Sequence, residues 1–216
     1  MSVVQPETVD QLAQAELAES VPRETMELLR CYVELLVEWQ GKFNLVSPTT
    51  LSHIWQRHIL DSAQLLPFSG TGRRSWIDMG SGAGFPGLVA AMIDEDIQLT
   101  LVESRGKKCV FLKTVAENLG LGDRVTIDDR RLEDIPPQPF DIISARALAV
   151  LPNLFDWGLR FASSSTQWIL PKGRQAEMEI GQAKALYQFE HKLVRSRTDP
   201  DARIVLARHV RWKSAK

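Results

Sequence analysis

Cysteine is nearly absent from this 216-residue chain: Cys31 and Cys109 stand far apart and form no Cys-x-x-Cys pair. That excludes a disulfide framework. Long apolar runs are missing too, since nothing approaches the roughly 20 residues that span a bilayer. The first ten residues are polar and acidic, whereas a secretory signal has a basic start and an apolar stretch. A cytoplasmic location with no membrane partner is the expectation. Histidine is sparse: His53, His58, His191 and His209 have no ligand spacing with one another or with the cysteines, so no metal is expected. Gly80-Ser81-Gly82 lacks the five-residue nucleophile elbow of serine hydrolases.

A strong net charge is also lacking, at −1 overall, but the balance is uneven along the chain. Residues 1–40 carry eight acids against Arg23 and Arg30. From Pro171 onward there are 11 basic and five acidic residues. This segregation suits an anionic partner approaching the later part of the chain, and equally a solvated surface.

What is present is the composition of an ordinary soluble globular domain, 44% hydrophobic and 25% charged. The first 70 residues read as helices. Leu28, Leu29, Val33, Leu35, Leu36 and Trp39 recur at helical spacing, Gly41 to Asn44 break the pattern, and Pro48 opens a further helix that ends near Pro67. The turn Ser69-Gly70-Thr71-Gly72 divides a helical cap (1–70) from a core (71–216). Beyond it, short strands alternate with helices. Strands are predicted at 75–79, 97–102, 124–127, 140–144, 168–170, 187–194 and 204–208, and helices from Pro86, over 107–119, after Pro152 and over 176–185. That order implies an α/β fold with a mostly parallel, Rossmann-like seven-stranded sheet covered on both faces.

Between the first strand and its helix lies Asp78-Met79-Gly80-Ser81-Gly82-Ala83-Gly84-Phe85-Pro86-Gly87, with four glycines in eight residues. Glycine permits positive φ and lets a ligand approach the backbone closely. In an open parallel sheet, ligands bind beyond the carboxyl ends of the strands, where this loop sits. Gly82-x-Gly84-x-x-Gly87 formally matches a dinucleotide fingerprint, but Asp78 would set a carboxylate beside an anionic pyrophosphate. S-adenosylmethionine carries an ammonium and a sulfonium and no phosphate, so Asp78 suits it and is expected, with Gly80 and Gly82 of the loop, to contact it. Glu103, at the end of the second strand, would accept its two ribose hydroxyls.

These residues, with others in the same order, resemble the bacterial 16S ribosomal RNA guanine-N7 methyltransferases, once called glucose-inhibited division protein B. The resemblance runs from Asn44-Leu45-Val46-Ser47 and Arg57-His58-Ile59-Leu60-Asp61-Ser62 through the glycine loop and Glu103-Ser104. It continues with Lys107-Lys108, Phe111-Leu112 and Ser144-Ala145-Arg146-Ala147, and ends at Pro171-Lys172-Gly173. It implies a class I methyltransferase sheet, S-adenosylmethionine as cofactor, and 16S ribosomal RNA or the 30S subunit as partner. It also implies cofactor contacts at Gly80 and Phe85, with Leu132 and Glu133 against the adenine and Arg146 at the mouth of the site.

The residues themselves suit that chemistry. Guanine N7 has a free lone pair, so positioning rather than a general base is expected to supply the rate, and no triad is visible. Arg146 and Lys172 follow strands four and five and would project at the ligand edge, beside the substrate. His58 and Arg57 would line the same cleft, with Asp61 one helical turn on to hold either of them. Glu133 or a backbone carbonyl would accept from the guanine's N1–H and amino group. Lys107 and Lys108 read as surface charge or as contacts to RNA phosphate. Three alternatives stay open: a small-molecule methyltransferase with the helical segment as a lid, a nicotinamide-dependent oxidoreductase, and a non-catalytic cofactor-binding protein in ribosome assembly.

Overall fold

The computed structural model describes residues 6–213. The helical part begins with α1 (Pro6–Ala18) and α2 (Arg23–Gln40). The single helix expected from Pro48 to Pro67 is instead a chain of short turns. A 3-10 turn (Pro48–His53) leads into a π-helical turn (Trp55–Leu60), the short α3 (Asp61–Ala63) and another 3-10 turn (Leu66–Phe68). Periodicity cannot separate these, because 3.0, 3.6 and wider helices share apolar spacing over one or two turns.

The core then alternates: β1 (Arg74–Met79), α4 (Gly87–Ile93), β2 (Ile97–Val102), α5 (Gly106–Asn118), β3 (Val125–Asp128) and β4 (Ile142–Ser144). It continues with α6 (Leu151–Gly158), β5 (Gln167–Lys172), α7 (Ala176–Leu186), β6 (Tyr187–Arg195) and β7 (Arg203–Trp212). The sheet order is β3-β2-β1-β4-β5-β7-β6. Strands β1 to β5 are parallel, and β7 runs antiparallel between β5 and β6. The sheet reverses direction of growth between β1 and β4, so their carboxyl ends frame the ligand crevice.

Strand alternation sorts the core into two layers. On β1, Trp76 joins one buried cluster, while Ile77 and Met79 join the other. The first cluster contains α4 and α5 residues such as Leu88 and Phe111, and also Leu17, Leu29, Tyr32 and Leu36 of the first two helices. The helical part therefore shares its core with one face of the sheet. The second cluster packs Leu154 and Phe155 of α6 and Ile180 and Ala183 of α7 against the opposite face. All these side chains are nearly or fully buried, and each of the leucine, isoleucine, methionine and phenylalanine side chains contributes roughly 1.5–3 kcal/mol.

Candidate active site

The glycine loop is held from beneath by a carboxylate. Asp78 lies opposite Ser144 in the β1–β4 register. Ser144 Oγ donates to Asp78 Oδ1 at 2.6 Å and accepts from Trp76 Nε1 at 2.7 Å. Asp78 Oδ2 accepts the Gly87 N–H, the first of α4, at 3.2 Å. The carboxylate has no exposed surface and does not line the cavity above it. This corrects the expectation that Asp78 faces the ligand: its alternation places it on the Trp76 side, inside the core. Burial pushes its pKa up to about 6 against the opposing hydrogen bonds from Ser144 and Gly87.

Above this brace, Gly80, Gly82 and Gly84 all take positive φ, at 67°, 60° and 101°. A Cβ on Gly80 would sit 2.6 Å from Leu148 Cδ1. The Phe85–Pro86 peptide is cis, and Pro86 precedes the first turn of α4 rather than lying within it. Tyr32 of α2 donates to Ala83 O at 2.6 Å, tying the helical part to the loop. Nothing in the sequence marked Tyr32 or this bond.

Glu103 extends from the end of β2 toward the loop. Its Oε2 accepts the Gly82 N–H at 3.0 Å and its Oε1 the Arg105 N–H at 2.8 Å. Each oxygen keeps a lone pair for a further donor. The carboxylate is thus set in place at the edge of a cavity of about 880 Å³, which suits a cofactor and part of a substrate. Gly80, Gly82, Phe85, Leu132 and Glu133 line this cavity, as do Arg146, Lys172 and His58. The ends of β1 to β5 and the loops after them, with the π-helical turn that carries His58, therefore bring together every predicted site residue except Asp78. Eight arginines and lysines line it against five carboxylates, a positive excess that the whole-chain charge hides.

The cationic side chains are already engaged. Arg146 donates to Arg57 O at 3.0 Å, to Asp61 Oδ2 at 3.3 Å and to His58 Nδ1 at 2.9 Å. Its guanidinium stands 5.0 Å from the Phe85 ring centroid, and His58 stacks on the same ring at 4.9 Å. His58 Nε2 meets Thr50 Oγ1 at 2.9 Å, and Thr50 donates onward to Ser47 O. With Arg146 donating to Nδ1, the imidazole proton belongs on Nε2. Burial first, then Arg146 and Arg57, lower the His58 pKa to about 3, so the ring is neutral.

Asp61 holds neither His58 nor Arg57, contrary to the helical-turn expectation. The π-helical turn rotates it toward Arg146, and Thr198 donates to its Oδ1 at 2.6 Å. Arg57 pairs with Asp199 at 2.7 Å, which joins the helical part to the β6–β7 turn. Lys172 is the last residue of β5 and pairs at 2.6 Å with Glu179 of α7, a cavity-lining carboxylate that no sequence motif marked. Lys107 lies over the Phe43 ring at 5.0 Å, and Lys108 lines the cavity. Leu132 and Glu133 form a 3-10 turn whose carbonyls accept from Arg160 at 3.3 and 2.7 Å. The Glu133 side chain itself is exposed, 3.8 Å from Arg131.

The family model described as rRNA small subunit methyltransferase G (GidB) matches residues 25–204. The chain belongs to this family. Among methyltransferase G proteins, that of Rhizorhabdus wittichii is 45% identical over 202 residues, covering 93% of each chain. That of Zymomonas mobilis is 41% identical and covers 91% of each. The methyltransferase G fold is also that of more distant solved enzymes. A SAM-dependent methyltransferase from Aquifex aeolicus superimposes with a TM-score of 0.56 at 16% identity, covering 76% of this chain and 94% of that one. Ribosomal protein L11 methylase from Lactobacillus delbrueckii gives a TM-score of 0.52 at 18% identity, covering 72% and 78%. The sheet is accordingly that of the class I methyltransferases. Among the described residues, no helix is long and apolar enough to cross a membrane.

Proposed function

We propose that the chain transfers a methyl group from S-adenosylmethionine to N7 of one guanine in 16S ribosomal RNA, presented as free RNA or within the 30S subunit, in the cytoplasm. The observation that carries this reading is Glu103, held by the Gly82 and Arg105 amides at the edge of a cavity that also contains Arg146 and Lys172. The residues fit the cofactor on their own chemistry. Glu103 has acceptor capacity left for two ribose hydroxyls, and the positive-φ glycines leave no side chain between backbone and ligand. Leu132 and Glu133 offer an apolar face and a polar edge to an adenine. S-adenosylmethionine, when bound, supplies a methyl group activated by its sulfonium.

The protein's own part is orientation. N7 needs no proton removed, so a base held at near-attack distance suffices, and such positioning supplies several kcal/mol of the barrier. The positive excess around the cavity steers an RNA strand to it. A dinucleotide is disfavoured on a specific ground: the α4 amide that its pyrophosphate would take, Gly87 N–H, is bound to Asp78.

Tritiated S-adenosylmethionine with 30S subunits from cells lacking the corresponding gene tests the proposal. Label should appear as 7-methylguanosine at one position and vanish with Glu103→Ala. S-adenosylhomocysteine, and not NAD, should raise the melting temperature. Tight cofactor binding with no label in any RNA would instead favour a small-molecule acceptor.

A further inference from the structure

The Lys172–Glu179 pair has features that packing does not require. Both side chains are about nine-tenths buried, at 10% and 9% exposure, yet both line the cavity. A buried ion pair gives little stability over apolar residues of the same size, so its presence calls for another cause. Lys172 Nζ donates to Ala149 O at 2.7 Å and ion-pairs with Glu179 Oε2 at 2.6 Å, which leaves it at least one uncommitted N–H. Glu179 Oε2 accepts the Leu151 N–H at 2.8 Å and faces the Lys172 ammonium. Glu179 Oε1 accepts no protein donor among the described residues, and it is not sealed from solvent. Two cavity-lining side chains thus keep an uncommitted donor and an uncommitted acceptor.

Guanine presents the complement of this pair. Its O6 accepts and the adjacent N1–H donates, whereas adenine offers an amino donor at position 6 and an acceptor at N1. The geometry points to Lys172 and Glu179 as the guanine reader, Lys172 donating to O6 and Glu179 Oε1 accepting from N1–H. N7, on the far side of O6, stays free to be methylated. Adenine would set donor against donor and acceptor against acceptor in a buried site, a mismatch that rejects more strongly than a missing contact. Glu133, the acceptor expected from sequence, is exposed and paired with Arg131, whereas Glu179 is preset. The inference rests on the guanine-N7 reading above.

Glu179→Gln is the informative variant. Its one carbonyl oxygen keeps the Leu151 and Lys172 contacts, so its amide nitrogen replaces Oε1 and turns the acceptor into a donor. Wild type and variant are assayed on 30S particles reconstituted with guanosine, inosine or adenosine at the modified position. Wild type should accept inosine, which keeps O6 and N1–H, within about tenfold of guanosine, and reject adenosine by more than about 100-fold. The variant should lose about 100-fold in kcat/KM on guanosine and narrow its guanosine-to-adenosine ratio, with S-adenosylhomocysteine affinity within about twofold. A variant that keeps both rate and discrimination overturns the inference while leaving the methyltransferase reading intact. So does a wild type that rejects inosine as it rejects adenosine, a result that stands even if the variant does not fold. A wild type that labels no 30S particle removes the guanine-N7 reading itself.

Discussion

Arg146 donates a 2.9 Å hydrogen bond to Nδ1 of His58. This contact joins the loop after β4 to the π-helical turn of the N-terminal part, and both residues rest on the Phe85 ring. His58 is therefore an acceptor that fixes Arg146, with its other nitrogen on Thr50, and not a proton donor to substrate.

The His58 ring should stay neutral through the physiological range. Its folded pKa of about 3 lies below the usual 6.5, so the unfolded chain takes up a proton first as pH falls. The stabilisation is complete above about pH 6.5 and is lost progressively toward pH 3. In an NMR titration from pH 8 to 5, the His58 ring signals should not move. The melting temperature of His58→Gln, relative to wild type, should improve between pH 7.5 and 5.

Asp78 should show the opposite sign. Its folded pKa of about 6 lies above the ordinary 3.8, so the folded chain holds a proton that the unfolded chain has released. Its ionisation costs stability as pH rises from about 4 to 6, on the order of 3 kcal/mol once complete. Asp78→Asn removes that charge but sets an amide donor against Gly87 N–H or Ser144. Its melting temperature relative to wild type should therefore be least unfavourable near pH 7 and worst near pH 4.5. A difference that does not vary with pH would mean that Asp78 is not the titrating group.

Gly80 and Gly120 separate backbone strain from site geometry. Both have positive φ, 67° and 64°, but a Cβ on Gly120 meets nothing within 4 Å, while one on Gly80 strikes Leu148. Gly120→Ala should cost about 1–2 kcal/mol, a few degrees of melting temperature, and leave S-adenosylhomocysteine binding unchanged. Gly80→Ala should cost more and weaken that binding at least about tenfold, because Leu148 lines the same cavity. Calorimetric titration of the two variants makes the comparison.

The alternation of strands and helices, the glycine loop and Glu103 were legible in the sequence. Each depends on local rules: apolar period, turn chemistry, and the position of a residue just after a strand. The same rules brought Arg146, Lys172, Leu132 and Glu133 to one edge of the sheet, because parallel strands deliver their following loops to the same side.

What those side chains do there depended on partners far away in the chain. Lys172 meets Glu179 on α7, Arg146 meets Asp61 and His58 across 85 and 88 positions, and Tyr32 reaches Ala83 across 51. Asp78 was read as facing a ligand, but it lies on the buried Trp76 face of β1, where the packed β4 and α4 bring Ser144 and the Gly87 N–H to it. Helical spacing paired Asp61 with its neighbours, and the π-helical turn gave it to Arg146 instead. Sequence alone determined which residues reach the ligand edge, since that follows from strand direction. Tertiary structure decided which of them face the ligand and in what charge state, since burial and hydrogen-bond partners are set by elements that meet only when the chain is folded.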